Sequence, residues 1–154
     1  MSVAFRRESD EEHKEPRFEL PLPSGPNLVT ERGLAMLAAK VAEVEAAVAA
    51  ETEAEPLAVL KRELRYWHTR QTTAEVAPPP GDTAGIGSRV RIRMAGRERV
   101  IDIVGHDEAD PAADRIAFSA PLAHALIGAE VGELVDFNGR EGAIEVLAVD
   151  AIPA

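Results

Sequence analysis

Carboxylates, arginines and histidines are the residues of this 154-residue chain that could bind a metal, a phosphate or a charged partner. Two acidic clusters are closely spaced: Glu51, Glu53 and Glu55 in the first half, and Asp107, Glu108 and Asp110 in the second. Neighbouring carboxylates can coordinate a divalent cation or oppose a basic surface of a partner. Each cluster can also be an ordinary solvated turn, and Asp110-Pro111 favours a chain reversal.

Composition excludes several classes of chemistry. The chain has no cysteine, which removes thiol nucleophiles, disulfides and cysteine-containing zinc sites. Its four histidines, at positions 13, 68, 106 and 124, include no pair at metal-ligand spacing. These two features predict no metal site. We also expect no cofactor, no catalytic residue and a protein that is not an enzyme.

The formal net charge of −10 argues against a protein that grips nucleic acid through a broad basic field. One local basic stripe is present, in which Arg89, Arg91 and Arg93 alternate with apolar residues. The stripe could face a phosphate or a partner protein. Its alternative is a solvated strand face that Glu98 and Asp102 balance.

Two helices are predicted by apolar residues at alternating spacings of three and four. The first seam is Leu34, Leu37, Val41, Val44 and Val48, within a helix from Glu31 to Glu51, and the second runs Leu57, Leu60, Leu64, Trp67, Gln71 and Ala74. Each stripe needs an apolar partner, so the helices should fold back as an antiparallel coiled-coil hairpin over residues 27–76. Helix two is basic and helix one acidic, which favours charge pairing within the hairpin over a phosphate-binding surface on helix two.

The flanking segments are rich in proline. Residues 1–26 carry four prolines among charged residues and predict a flexible tail, or alternatively a docking peptide around Phe18, Leu20 and Leu22. Residues 77–86, with Pro78-Pro79-Pro80, predict a semi-rigid linker. No signal peptide or membrane span is visible, so we expect a cytoplasmic protein without membrane contact.

The C-terminal part, residues 87–152, alternates with a period of two and predicts about five strands. Ala95-Gly96 allows a turn between the first two strands, a third strand is predicted from Arg115 to Ser119, and a short helix from Pro121 to Ile127. The predicted fold class is α+β: the coiled-coil hairpin followed by a small antiparallel sheet with one helix.

Several strings resemble the bacterial GreA/GreB transcript-cleavage factor family. They are residues 28–34 (LVTERGL), residues 103–111 (IVGHDEADP), and Arg115-Ile116 leading into residues 121–128 (PLAHALIG) and 131–133 (VGE). The resemblance implies an FKBP-like C-terminal domain that docks on RNA polymerase at the rim of its secondary channel, while the hairpin enters the channel. Nucleic acid is then contacted only indirectly, within the transcription complex.

The resemblance also implies docking residues. Ser119-Ala120-Pro121 stands where the family usually has Asn-Ser-Pro or Asp-Ser-Pro before the helix, so Ser119 and Pro121 become docking candidates together with Asp107, Glu108 and Asp110. Ser119 brings no charge, which removes a salt bridge at that point. Pro121 could equally serve only to begin the helix.

The hairpin departs from the cleavage-competent pattern. Such members carry a tip loop of the type Gly-Asp-x-Ser-Glu-Asn that helps to hold a catalytic magnesium, whereas this chain has only Glu51 to Glu55. A helix of about 20 residues spans roughly 30 Å, so the tip should stop short of the polymerase active site. In this respect the chain resembles short-hairpin relatives such as Rnk.

We therefore predict a monomeric RNA polymerase-binding regulator of transcription elongation that does not stimulate transcript cleavage. One alternative is cleavage stimulation through the tip glutamates. Another is a helical-hairpin adaptor for a non-polymerase partner, with Tyr66 and Trp67 extending the interface. A prolyl isomerase is disfavoured because Phe118 and Phe137 are the only aromatic residues after the linker.

Overall fold

The computed structural model describes residues 19–153. Most of the predicted tail at 1–26, and Phe18 of the docking-peptide alternative, lie outside the described residues. The described chain forms two compact units, one from residues 19–25 and 38–72 and the other from residues 26–37 and 73–153. None of the helices in this part of the chain is both long and apolar enough to cross a membrane.

The predicted helices are present as α1 (Glu31–Ala50) and α2 (Ala54–Thr73), each of 20 residues. Val41 and Val44 of the first seam are buried, and the second-seam leucines are half-buried. The ammonium of Lys40 lies 5.7 Å from the centre of the Trp67 ring, so the two helices face each other as the spacing predicted. A three-residue loop, 51–53, joins them, and Glu55 lies in the first turn of α2.

The larger unit contains a five-stranded sheet. Its strands are β3 (Ser88–Met94), β4 (Arg97–Val104), β5 (Arg115–Ala117), β6 (Leu134–Phe137) and β7 (Arg140–Ala151). They lie side by side in the order β5-β4-β3-β7-β6. A separate two-stranded parallel sheet pairs β1 (Leu28–Val29) with β2 (Glu75–Val76). The α+β fold class is thus confirmed.

The sheet is mostly antiparallel and contains one parallel strand pair. Three strand pairs are antiparallel, but β4 and β5 run parallel with Ile103 opposite Ile116. The reason is the connection between them. The segment between them contains two single-turn 3₁₀ helices, His106–Glu108 and Pro111–Ala113. It returns the chain from the end of β4 to the level of Asp102, where β5 begins and runs in the same direction as β4.

Two tight turns connect antiparallel strands, one between β3 and β4 and the other between β6 and β7. Ala95 and Gly96 have φ values of 53° and 75°, so both occupy the left-handed region, as a two-residue hairpin turn matched to strand twist requires. Asn138 and Gly139, with φ values of 54° and 80°, form the equivalent turn between β6 and β7. The first turn was predicted and the second was not.

The core lies between one face of the sheet and helix α3 (Pro121–Leu126). Fully buried side chains come from three strands, β3, β4 and β7, and from the helix: Val90, Ile92, Ile101, Ile103, Ala123, Leu126, Ile144 and Val146. Helix α3 ends at Leu126, one residue before the predicted end, because Ile127 has left the helical conformation (ψ 128°). This packing fixes the position of the loops that follow β4 and β5.

Candidate functional site

The parallel pairing of β4 and β5 brings two loops to one edge of the sheet. The segment that follows β4 begins at Gly105 and the segment that follows β5 begins at Phe118. They are tied together where they start, because the Phe118 N–H donates to the Val104 carbonyl oxygen at 2.9 Å. We call the exposed or half-buried candidates carried by these loops, Asp107, Ser119 and Pro121, the docking edge.

The turn before α3 presents Ser119 and Pro121 to solvent. The Ala120 N–H donates to the Ala117 carbonyl at 2.9 Å, and the Ala120 carbonyl accepts from the His124 N–H at 2.8 Å. Pro121 occupies the first helical position, where its missing N–H costs nothing. Because Ala123 and Leu126 are buried on the inner side of α3, Pro121 and His124 remain exposed on its outer side.

Asp110 is placed apart from this edge. Its backbone exchanges two hydrogen bonds with Arg115, at 2.8 and 3.1 Å, at the beginning of β5. The docking edge follows the other end of that strand, which at three residues is roughly 10 Å long. The structure therefore separates one predicted docking residue, still exposed, from Asp107, Ser119 and Pro121.

Glu108 is buried, with 7% of the residue exposed. Its carboxylate accepts a hydrogen bond from the Thr30 hydroxyl at 2.5 Å and lies 3.9 Å from Nε of Arg32. A buried carboxylate requires such partners, since its desolvation is otherwise costly. The side chain thus faces the beginning of α1, unlike the exposed side chain of Asp110.

The loop that carries Gly105 and Glu108 lies close to β1 and to the beginning of α1, and this close approach depends on Thr30 and two glycines. The Thr30 hydroxyl also accepts from the Gly33 N–H at 3.0 Å, which caps the first turn of α1. A Cβ at Gly33 would lie 2.8 Å from Oε1 of Glu108, and one at Gly105 would lie 2.7 Å from the Leu28 carbonyl oxygen. The Thr30 hydroxyl and Glu108 are 78 residues apart, and no local sequence signal pairs them.

An apolar cleft of about 390 Å³ lies beside Glu108. Its lining includes Thr30, Pro79, Ile86, Glu108 and Ile152, and no aromatic side chain among the described residues. Aromatic walls are what a prolyl-binding pocket would need to hold a peptide. The cleft therefore gives no support to a prolyl isomerase.

The arginine stripe is neutralised by acidic neighbours. Arg89 and Asp102 form two parallel hydrogen bonds of 2.8 and 3.0 Å, and this pairing raises the pKa of the Arg89 guanidinium. The Arg91 and Arg93 side chains lie 3.8 Å from Glu98 and 2.9 Å from Glu145, respectively. These contacts favour the balanced strand face over a phosphate-binding patch.

The hairpin tip carries the second acidic cluster. Glu51 is half-buried, whereas Glu53 and Glu55 are exposed. Within residues 19–153, no group of three or more histidine, aspartate or glutamate side chains is arranged to hold a metal ion. Glu51 and Glu53 lie in the loop, and Glu55 lies in the first turn of α2.

Comparison with known proteins finds one family that the C-terminal part of the chain resembles. The family description "Transcription elongation factor, GreA/GreB, C-term" matches residues 79–151. Transcription elongation factor GreA of Rhizobium etli (strain CIAT 652) is 36% identical over 91 residues, and that of Chelativorans sp. (strain BNC1) is 38% identical over the same length. Each match covers 56% of this chain and 58% of the relative, so the chain spans less than two thirds of these relatives.

Two solved structures align with most of this chain. GreA factor homolog 1 (Gfh1) of Thermus thermophilus aligns with 82% of this chain and 100% of that chain, at 16% identity and a TM-score of 0.40. A GreA/GreB factor from Nitrosomonas europaea aligns with 82% of this chain and 98% of that chain, at 17% identity and a TM-score of 0.39.

Proposed function

We propose that the chain, whose residues 79–151 match the C-terminal domain of the GreA/GreB transcription elongation factors, is an RNA polymerase-binding regulator of transcription elongation. It docks at the rim of the secondary channel through its sheet unit and acts as a monomer. It contacts nucleic acid only within the transcription complex. It does not stimulate transcript cleavage.

One observation carries the docking part of the proposal. The family match at 79–151 includes the whole docking edge, and Ser119 and Pro121 are exposed there on a well-packed support. Loops fixed by a rigid core present their side chains with little loss of conformational entropy on binding. Asp107 and the more distant Asp110 add negative charge that suits a basic partner surface.

Glu108 takes a different role in this proposal. Its carboxylate is already used by Thr30 and Arg32, so it supports the loop that carries Asp107 instead of touching the polymerase. Replacing it should weaken docking only as far as it loosens that loop.

The hairpin supports the proposal that cleavage is not stimulated. Both helices have 20 residues, so each spans about 30 Å, and the loop between them has only three residues. Magnesium-assisted cleavage needs carboxylate oxygens within coordination distance of the metal. Glu51, Glu53 and Glu55 would have to reach the polymerase active site to provide them.

Co-purification with core RNA polymerase tests the docking. The tagged full chain should retain the polymerase at physiological salt, and Pro121→Asp should lose it because a charge replaces an apolar contact. A triple variant, Glu51→Gln, Glu53→Gln and Glu55→Gln, is the matched control and should bind like the unmodified chain. Failure of the unmodified chain to bind would contradict the proposed function and favour an adaptor for another partner.

A transcript-cleavage assay on stalled elongation complexes tests the second part. We expect the same cleavage rate with and without the full chain. Stimulation that is lost in the triple glutamine variant would instead establish the tip glutamates as metal ligands at the polymerase active site.

A further inference from the structure

The outer face of α2 carries a compact basic surface. Lys61 and Arg62 precede Arg65 by four and three residues, which places both beside Arg65 on one side of the helix. We call these three residues the basic face. The apolar seam residues Leu57, Leu60 and Leu64 follow a different stripe of the same helix.

A carboxylate of this same chain already occupies part of that face. Glu19 and Arg65 form a two-point contact, with Oε1 2.6 Å from Nη2 and Oε2 3.1 Å from Nε. Two parallel bonds between a guanidinium and a carboxylate are geometrically specific as well as charge-assisted. The Arg65 contact, together with the positive charge of Arg62, lowers the pKa of the Glu19 carboxyl.

The surroundings of this contact form a shallow groove. Glu19, Ala58, Val59, Lys61, Arg62 and Arg65 line it together with Glu55. Val59 is 44% exposed, so the groove offers apolar contact beside its charges. Such a surface suits an extended segment that combines carboxylates with apolar side chains.

The chain that precedes Glu19 has this composition. Residues 8–19 contain six carboxylates, at positions 8, 10, 11, 12, 15 and 19, against two cations, Lys14 and Arg17, and Phe18 directly precedes Glu19. Lys61 is about 6 Å along the helix from Arg65. An extended chain covers roughly 3.3–3.6 Å per residue, so Glu15, four residues before Glu19, can reach past Lys61.

We propose that the basic face of α2 is the docking site of the chain's own acidic N-terminal segment, residues 8–19, anchored by Glu19 on Arg65. The segment neutralises the cationic part of the hairpin, and any other anion must displace it to bind there. The docking is electrostatic and exposed to water, so it weakens steeply with salt. This inference concerns the hairpin alone and stands independently of polymerase binding.

Paramagnetic relaxation tests the proposal on the full chain. Because the chain has no cysteine, Ser9→Cys provides a single attachment point for a nitroxide spin label. At 0.01 M salt, where the Debye length is about 30 Å, the amide signals of Lys61, Arg62 and Arg65 should lose intensity relative to that of Ile92. At 1 M salt, where it is about 3 Å, the intensity should return.

Two variants and one mixture complete the test. Arg65→Glu should restore the α2 intensities at low salt, whereas Glu45→Gln, which removes an exposed carboxylate of α1, should leave the loss unchanged. Isotope-labelled chain mixed with separately spin-labelled chain should show no loss.

Three results would overturn the inference. One is the absence of any loss on α2 at low salt. Another is a loss of amide intensity on α2 that persists both at 1 M salt and in the Arg65→Glu variant. The third is a loss of equal size in the mixed sample, which would assign the basic face to a second copy of the chain.

Discussion

The sheet unit and the helical hairpin differ in how tightly their side chains are packed. Eight apolar side chains of the sheet unit, from Val90 to Val146, have no exposed surface, and neither has Leu37 at the part of α1 that belongs to this unit. Within residues 38–72 of the hairpin, the best-buried apolar residues, Val41 and Val44, retain 6% and 4%. The α2 leucines are only half-buried. A fully buried layer fixes its loops, while a two-helix layer leaves one side of each helix in water. The surface side chains of the sheet unit are therefore held on a rigid support, whereas those of the hairpin have more freedom to rearrange.

Core truncation should show the largest difference between the two units. Ile103→Ala removes a side chain with no exposed surface and should lower the free energy of unfolding by about 2–5 kcal/mol. Leu60→Ala removes a half-buried one and should cost about 1 kcal/mol. Chemical denaturation measures both, with exposed Val59→Ala as control. Equal losses at Ile103 and Leu60 would contradict the contrast in packing.

Glycine replacement should have the next largest effect. Gly105→Ala places a methyl group 2.7 Å from the Leu28 carbonyl oxygen, and relieving that overlap should cost about 1–3 kcal/mol. Gly81→Ala is the matched control, because a Cβ there meets nothing within 4 Å. A stability of Gly105→Ala equal to that of Gly81→Ala would mean that β1 does not hold its position against Gly105.

Removal of the Thr30 hydroxyl tests the buried contact of Glu108. Thr30→Val leaves the Glu108 carboxylate without its hydroxyl donor and the Gly33 N–H without its cap, and should cost about 1–3 kcal/mol. Thr52→Val, at an exposed position of the hairpin loop, is the control. If the Thr30→Val effect persisted undiminished in a Glu108→Leu background, which lacks the acceptor, the coupling between the two side chains would be disproved.

The smallest effect should be a pH dependence at Glu19. Contact with Arg65 lowers the folded-state pKa of this carboxyl, so the contact is complete above the unfolded value and is lost as the pH falls through the folded one. Carboxyl titration followed by NMR should show a midpoint below the ordinary range. In Arg65→Gln the midpoint should move upward, and an unchanged midpoint would disprove the pairing in solution.

Local patterns in the sequence were sufficient for much of the fold. The seam spacing predicted both helices, Ala95-Gly96 predicted a hairpin turn, and Pro121 predicted the beginning of α3, because each depends on neighbouring residues. The hairpin turn at Asn138-Gly139 was not predicted, although Asn-Gly is an equally strong signal for a two-residue turn. The direction of β5 was not readable, since a three-residue strand gives no sign of whether its neighbour runs parallel or antiparallel.

The candidate site was harder to predict because its distinctions arise from distant contacts. Glu108 stands in an acidic run and only its meeting with Thr30 separates it from Asp107. Charge pairing was expected between the two helices, whereas Arg65 pairs with Glu19, 46 residues earlier. Such pairs are set by tertiary packing, which composition and periodicity do not encode.

Site-specific photo-cross-linking to core RNA polymerase tests the central claim most directly. A photoreactive amino acid placed at Ser119, on the docking edge, should cross-link efficiently, whereas the same residue at Arg91, on the charge-balanced outer face of the sheet, should cross-link little. Equal cross-linking from both positions, or stronger cross-linking from position 91, would contradict docking through this edge.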